Sequence, residues 1–280
     1  MTAHQITLET MTPQHLSGAV ELSRQVGWPH RREDWEFMQS LSHGIVAVDN
    51  GRVVATTLMT PYGQDGATIN TVIVDASIRG RGLGRRLLEE ALAQAGERNC
   101  RLVATPEGLS LYEKLGFVAV GSVIQHQGDV LPVNTPGHVV WGNDCDFERF
   151  AELDRAAYGH DRSLLMQYLQ QLAKFAVIRQ TGKARAFAAI REFGRGLVIG
   201  PVVASHTAEA KALIDYLLSK NQGRFVRIDT HSSANLADWL GMRGLASVDS
   251  GTAMRRSLGT VKPAGVAQYR TFALAAQALG

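Results

Sequence analysis

The apolar positions of this chain change period in an order that can be followed from one end to the other. Residues 6–10 alternate as a short strand, and Thr12-Pro13 then reads as an N-cap with proline at the first helical position. Leu16, Ala19, Val20 and Ser23 share one helical face that ends near Gly27, and a second short helix is predicted over residues 33–41. Residues 45–48 and 53–58 flank Asp49-Asn50-Gly51-Arg52, a hairpin signal, because Asn-Gly readily supplies positive φ. A strand over 68–74 runs into a Gly-rich turn. From Leu83, the positions Leu87, Leu88, Ala91, Leu92 and Ala95 mark a helix with Arg85, Arg86, Glu89 and Glu90 on its wet side. A strand at 101–104, a helix at 109–115 stopped by Gly116, and a strand at 117–120 follow.

Residues 123–141 contain Gly128, Pro132, Pro136 and Gly137 and read as a linker. After it the pattern begins again. A helix over 147–157 stops at Gly159, and strands at 175–179 and 184–191 surround Gly182-Lys183. A strand at 196–204, a helix at 208–219, a strand at 225–229 and a helix at 236–242 complete the second run. Leu22 before Gly27 corresponds to Leu153 before Gly159, Val74 to Val203, and Gly116-Phe117 to Gly244-Leu245, at offsets of 131, 129 and 128 residues. Three landmarks near one offset favour an internal duplication over a single mixed domain with an unrelated tail. The expected division is a first lobe over 1–125, a linker over 126–143, a second lobe over 144–258 and a tail over 259–280. Phe272, Leu274, Ala275, Ala276, Ala278 and Leu279 make the end of that tail apolar. It is expected to dock as a strand or helix on a lobe or on a second subunit.

Composition changes this picture little. With 280 residues, 45% apolar and 20% charged, the chain has room for two lobes with a core each. A net charge of +3 without a long basic run argues against nucleic acid as a partner. The local cluster Arg79, Arg81, Arg85 and Arg86 suits a small polyanion instead. Cys100 and Cys145 lack metal-ligand spacing and are expected to be buried free thiols, with no metal site. The first residues lack a basic-then-apolar leader and no apolar run approaches a membrane span, so the cytoplasm is the expected compartment.

The chemistry concentrates at residues 69–95. A helix start leaves N–H groups unpaired and carries partial positive charge. Gly80, Gly82 and Gly84 remove Cβ atoms, so several N–H groups can converge on a pyrophosphate, while Arg79 and Arg81 add charge-assisted contacts. By itself a Gly-x-Gly-x-Gly turn also fits a nucleotide loop or a plain flexible turn. The spacing is not the Rossmann pattern, the turn follows roughly the fourth strand rather than the first, and no Lys-Ser/Thr pair follows it.

The run Val72-Ile73-Val74-Asp75-Ala76-Ser77-Ile78-Arg79-Gly80-Arg81-Gly82-Leu83-Gly84 resembles the acetyl-CoA motif of the GNAT acyltransferase superfamily. Further on, Leu111-Tyr112-Glu113-Lys114-Leu115-Gly116-Phe117 resembles that family's second signature, Tyr-x-x-x-Gly-Phe. The motifs and the order of elements cover the first lobe. The resemblance implies an α/β fold of two GNAT-like lobes, each a mixed, mostly antiparallel sheet flanked by helices. It also implies that Val72, Ile73 and Val74 pair with pantetheine, that Arg79, Gly80, Arg81, Gly82, Leu83 and Gly84 hold the pyrophosphate, and that Tyr112 protonates the departing thiolate. Thr105 stands where many relatives place an asparagine against the cofactor. At positions matching the Gly-rich turn, the second lobe reads Ala208-Glu209-Ala210-Lys211-Ala212-Leu213, and Leu240 matches Tyr112. That lobe is expected to bind no coenzyme A and to shape the acceptor pocket.

Candidate acceptor contacts are Trp28, His30 and Arg31 after the first helix, and their counterparts Tyr158, Asp161 and Arg162 in the second lobe. Asp161 offers a partner for an ammonium group and Arg162 one for a carboxylate, or the two form an unrelated helix cap and ion pair. Asp229 near a strand end is a further candidate, and no general base is legible. The resulting expectation is an acetyl-CoA-dependent N-acetyltransferase for a small-molecule amine, as monomer or homodimer, with one site per chain. A protein N-acetyltransferase and a non-catalytic acyl-CoA sensor are the alternatives.

Overall fold

The computed structural model describes residues 6–258 and 268–280, and in them one succession of elements occurs twice. The first run comprises β1 (Thr7–Thr10), α1 (Leu16–Gln25), α2 (Arg32–Ser40), β2 (His43–Asp49), β3 (Arg52–Tyr62), β4 (Gly66–Val74), α3 (Leu83–Ala95), β5 (Asn99–Ala104), α4 (Leu109–Lys114) and β6 (Val118–Asp129). The second comprises β7 (Val139–Trp141), α5 (Phe147–Tyr158), α6 (Ser163–Leu172), β8 (Lys174–Gln180), β9 (Lys183–Phe193), β10 (Gly196–Ala204), α7 (Thr207–Ser219), β11 (Phe225–His231), α8 (Ala237–Gly241) and β12 (Ala246–Arg256). A last strand, β13 (Arg270–Ala273), follows. Backbone geometry repeats with the elements. Asn50-Gly51 and Thr181-Gly182 form matching hairpin turns at φ 49 and 80 and at 49 and 81, and Gly116 and Gly244 end their helices at φ 85 and 89.

Among the described residues the strands form one continuous sheet in the order β1-β2-β3-β4-β5-β12-β6-β11-β13-β10-β9-β8-β7. Its centre is an exchange. β12, from the second lobe, lies between β5 and β6 of the first, pairing Thr252 with Ala104 on one side and with Ser122 on the other. The second half of β6 in turn pairs with β11, from Phe225–Asp129 to His231–Val123. Each lobe therefore completes its sheet with the other lobe's last strand. Residues 126–129, expected as linker, are the end of β6, so the expected boundary at residue 125 falls inside a strand. Gln125 and Gln127 at this boundary line a cavity, and Gly128 packs against the backbone of Gly244 before β12. α6 and β12 are elements that the apolar periodicity did not indicate.

Helices cover the sheet unequally. On one face α3 and α4 close an apolar cluster in the first lobe around Leu87, Leu88 and Ala91, and α7 and α8 close a second around Leu213, Leu217 and Leu240. On the other face α1, α2, α5 and α6 share a single cluster, from Trp35 and Met38 to Phe150, Leu165 and Leu279. Cys100 is buried, and burial pushes its thiol up to about 11, whereas Cys145, expected inside, is exposed on the short turn before α5.

The splay of the central strands positions everything that follows. β4 and β5 run parallel and are in register only from Gly66–Asn99 to Thr68–Arg101, then part. β10 and β11 do the same from Leu197–Val226 to Ile199–Ile228. In the second lobe β13 enters the gap, pairing Val202 with Ala273 and Ala204 with Arg270, while the Leu274 N–H donates to Asp229 O at 2.8 Å. In the first lobe the gap stays open. Because β5 without β12 keeps only its three-residue pairing with β4 and loses its whole other edge, residues 1–125 expressed alone should give no cooperative thermal transition, whereas the whole chain melts cooperatively. Circular dichroism on both checks this, and a fragment that melts sharply contradicts the exchange as a requirement for folding.

Candidate functional site

The open splay continues into a cavity of about 710 Å³ whose wall includes Ile69 to Val74 of β4, Val103 of β5, Thr105 just beyond it, and the turn into α3. Within β4 the ladder to β3 breaks between Asn70 and Ile73, and Thr71 adopts φ 46, unusual for a β-branched residue. Thr71 and Val72 have no register partner on either β3 or β5. The Thr56 hydroxyl donates to Thr71 O at 2.8 Å and holds the bulge in place.

At the mouth of this cavity, Gly80 and Gly82 take φ 79 and 74, which a residue with Cβ adopts only under strain. The first hydrogen bond of α3 is Arg86 N–H to Gly82 O at 3.1 Å, so the N–H groups of Leu83, Gly84 and Arg85 have no backbone partner among the described residues. Arg79, Gly80, Gly82, Leu83, Gly84 and Arg85 line the cavity, and the Arg79 Nε donates to Val74 O at 3.1 Å. Arg81 is exposed and lies outside that lining. These donors fit a diphosphate, and the splayed strand fits an extended amide chain in place of a β-partner.

The corresponding helix start in the second lobe is already filled. The Glu209 carboxylate accepts from Ser205 N–H at 3.0 Å and from the Ser205 hydroxyl at 2.7 Å, pairs with Arg185 at 2.6 Å, and His206 accepts from Glu209 N–H. Side chains of the chain thus cap this helix start, His206 accepting from the Glu209 N–H and the Glu209 carboxylate from the preceding Ser205 N–H, where the first lobe has glycines.

Tyr112 borders the first cavity from α4, nine-tenths buried, packed edge-on against Phe117 at 6.1 Å, with no hydrogen-bond partner for its hydroxyl among the described residues. Burial pushes the phenol up to about 12. Gly108 leaves room for the ring, because a Cβ there would come within 2.8 Å of it.

A second cavity of about 550 Å³ adjoins the first and is built by both lobes. The two share Trp28, Ile69, Asn70, Thr71, Val103, Thr105 and Glu107 as wall. Gln125 and Gln127 of β6, Arg227 of β11, Asp249 of β12, Phe193 and Arg195, and residues 276–278 complete the second. His30 also lines it. Burial, then the nearby Arg227 charge, lowers that imidazole to about 4, so it is neutral. Its Nδ1 lies 3.1 Å from the Ser23 hydroxyl, which accepts from Trp35 Nε1 at 3.0 Å. Glu107, exposed beside Thr105, is held below the usual carboxylate range by its own backbone N–H, by the Thr105 hydroxyl and by the Arg79 charge.

Several expected acceptor residues lie elsewhere, each for a visible reason. Arg31 is bound bidentately to Asp34 at 2.9 and 3.1 Å. Arg162 is fully buried, holds Asp154 at 2.6 and 3.0 Å, and donates to Leu279 O and Gly280 O. Tyr158 packs between the Arg162 and Arg101 guanidiniums, at 3.9 and 4.5 Å, at the lobe junction. Asp161 caps α6 through Ser163 N–H and pairs with Arg155. Asp229 is fully buried and reaches the cavity only through Arg227, whose Nε donates to both its oxygens. Gln125, Gln127, Arg195, Arg227 and Asp249 belong to no motif. The one signal for them was the pair of charges at Arg227 and Asp229, alternating with Val226 and Ile228 of β11.

Comparison with known proteins agrees with this architecture. The GNAT family acetyltransferase model matches residues 8–117, and a GNAT-domain acetyltransferase model matches residues 150–266. The chain is 30% identical over 277 residues to YitH of Bacillus subtilis, an uncharacterized N-acetyltransferase, covering 95% of this chain and 96% of that one. An acetyltransferase-type crystal structure from Pyrococcus horikoshii superposes with a TM-score of 0.80 at 21% identity, covering 98% of this chain and 96% of that one. A tandem GNAT protein from the clavulanic acid biosynthesis pathway superposes with a TM-score of 0.61 at 17% identity, covering 92% and 100%. The chain belongs to the GNAT acetyltransferase family and carries two GNAT domains, in a family that generally draws its acyl group from acetyl-CoA.

The open helix start makes a prediction of its own. Gly82→Asp places a strained residue and a like charge where a diphosphate would bind, so acetyl-CoA affinity should fall at least about tenfold, on the order of 1.4 kcal/mol. Isothermal titration checks this, and unchanged affinity would remove the turn from the cofactor site.

Proposed function

We propose that the chain is an acetyl-CoA-dependent N-acetyltransferase for a small-molecule amine, with its chemistry in the first lobe and Tyr112 as the acid. The shared wall between the two cavities carries this reading. A cofactor lying along β4 and an amine in the two-lobed cavity would meet at Asn70, Thr71 and Thr105.

When bound, acetyl-CoA supplies an activated thioester. The chain's contribution is position and polarity. Arg79 and the N–H groups of α3 hold the diphosphate, and the unpaired edge of β4 at 72–74 takes the extended arm. Backbone N–H groups at the Thr71 bulge are available to a carbonyl oxygen on which charge develops. The Tyr112 phenol, at about 12, keeps its proton across physiological pH and offers it to sulfur. That value makes it a weaker acid than an exposed tyrosine. The same apolar wall of Val74 and Leu111 raises the basicity of a thiolate beside it, which preserves the match. Glu107 and Asp249 border the acceptor cavity as carboxylates and draw an ammonium group toward the junction. Held below its usual range, Glu107 is a weak base, so the acceptor proton leaves through water.

The size of the second cavity, about 550 Å³ with walls from both lobes, favours a compact acceptor over a protein chain. Tyr112→Phe should lower kcat roughly 10²-fold while the affinity for acetyl-CoA stays within about twofold. In the wild type, neither His30 nor Tyr112 titrates between pH 6 and 10, given values of about 4 and about 12, so neither contributes a limb to kcat in that window. Steady-state kinetics across pH test both points. An unchanged rate in Tyr112→Phe, or a basic limb lost on that substitution, would remove Tyr112 from the acid role as described.

A further inference from the structure

We infer that the acceptor is a zwitterion, an amine that carries a carboxylate, and that the carboxylate is seated on Arg227. This rests on the acetyl-transfer reading above and adds the chemical class of the substrate.

Arg227 is the decisive residue. It is 9% exposed, lies on β11, and borders the two-lobed cavity. Asp229, fully buried, takes the Nε side of the guanidinium at 3.0 and 3.1 Å, and Phe193 stacks near it at 5.5 Å. The two terminal nitrogens have no hydrogen-bond partner among the described residues, and the side chain borders the cavity. With its Nε side fixed by Asp229, the guanidinium has its outer fork free to bind an acceptor in the cavity. Two parallel N–H donors match a carboxylate.

The neighbouring strands add polar groups in order. Gln127 is in register with Arg227, and Gln125 with Asp229, and both glutamines line the same cavity. Asp249 is in register with Gln125 on the next strand. Beyond it lie β5 and the junction with the first cavity, where Glu107 stands. Crossing the cavity from β11 to β5 therefore leads from arginine, through two neutral amides, to carboxylates beside the reacting centre. Arg195, exposed and stacked on Phe225 at 4.9 Å, adds a second cation at the anionic end. Three strand spacings separate β11 from β5, about 14 Å, and the arginine's own length shortens that span. The arrangement suits a small molecule with its ammonium at one end and its acid at the other. It also favours a carboxylate over a phosphate dianion: Asp229 already neutralises Arg227, and Glu107 and Asp249 outnumber Arg195, so a doubly negative group would be repelled overall.

The test compares acceptors that differ only in the acid group. Amino acids of varied side chain, β-alanine and γ-aminobutyrate are each assayed against the corresponding carboxamide by thiol release from acetyl-CoA. At least one acid should exceed its amide about tenfold or more in kcat/KM, the value of a charge-assisted contact. In the double variant Arg227→Gln/Asp229→Asn, which removes both charges but keeps a neutral hydrogen-bonding pair, that ratio should fall toward one through KM. The thermal shift given by acetyl-CoA should persist in the same variant. Thermal shifts by N-acetylated acids and N-acetylated amides in the presence of coenzyme A give the comparison without turnover. Equal response to acids and amides, or neither turnover nor binding of any acid, overturns the inference and leaves the transfer reading intact. Absence of both a shift and thiol release with acetyl-CoA alone and with every amine would overturn the transfer reading, and this inference with it.

Discussion

Two parallel strands that part company leave a row of backbone N–H and C=O groups without partners, and buried polar groups do not stay unpaired without cost. This chain creates that situation twice, after Thr68 of β4 and after Ile199 of β10, and resolves it in two ways. In the second lobe a strand of the chain itself, β13, completes the ladder, and His206 and Glu209 cap the helix start nearby. In the first, glycines keep the helix start bare and the gap remains a cavity. The two lobes thus differ in who supplies the missing hydrogen bonds.

The second constraint is the exchange of β6 and β12. Because each lobe finishes on the other's strand, the central seam belongs to neither, and the cavity above it takes side chains from β6, β11 and β12 together. Residues 276–278, which follow β13, form part of the same wall. The segment that closes the second splay therefore also shapes the space beside the first. The two are tied further by Tyr62 and Arg162, from opposite lobes, which both donate to Leu279 O. The cavity proposed for the acceptor cannot be built without the second lobe.

How far the sequence reveals this depends on whether a feature is local. The Asn50-Gly51 turn, the bare helix start at Gly82 and the position of Tyr112 are local, and their residues state their own geometry. The duplication was legible because glycines at helix ends and hairpins recur at one offset. β6 looks short in the sequence because Gly128, Pro132, Pro136 and Gly137 resemble a linker. Its order comes from a partner strand more than a hundred residues away. β12, polar along most of its length, is a strand only by virtue of where it lies. Arg162 and Tyr158 were placed at the acceptor by analogy with the loop after α1, yet the second lobe's loop docks on Arg101 and Asp65 of the first. Arg227 was missed for the converse reason, since nothing near it in sequence marks a cavity that three strands assemble.

The central claim, one open splay and one closed, is tested most directly by stoichiometry. Native mass spectrometry of the intact chain titrated with acetyl-CoA should show a single saturating addition per chain, with no second addition as the ligand is raised well beyond the first. Two additions of comparable affinity, or saturation that survives loss of the first lobe's glycine turn, would contradict the account.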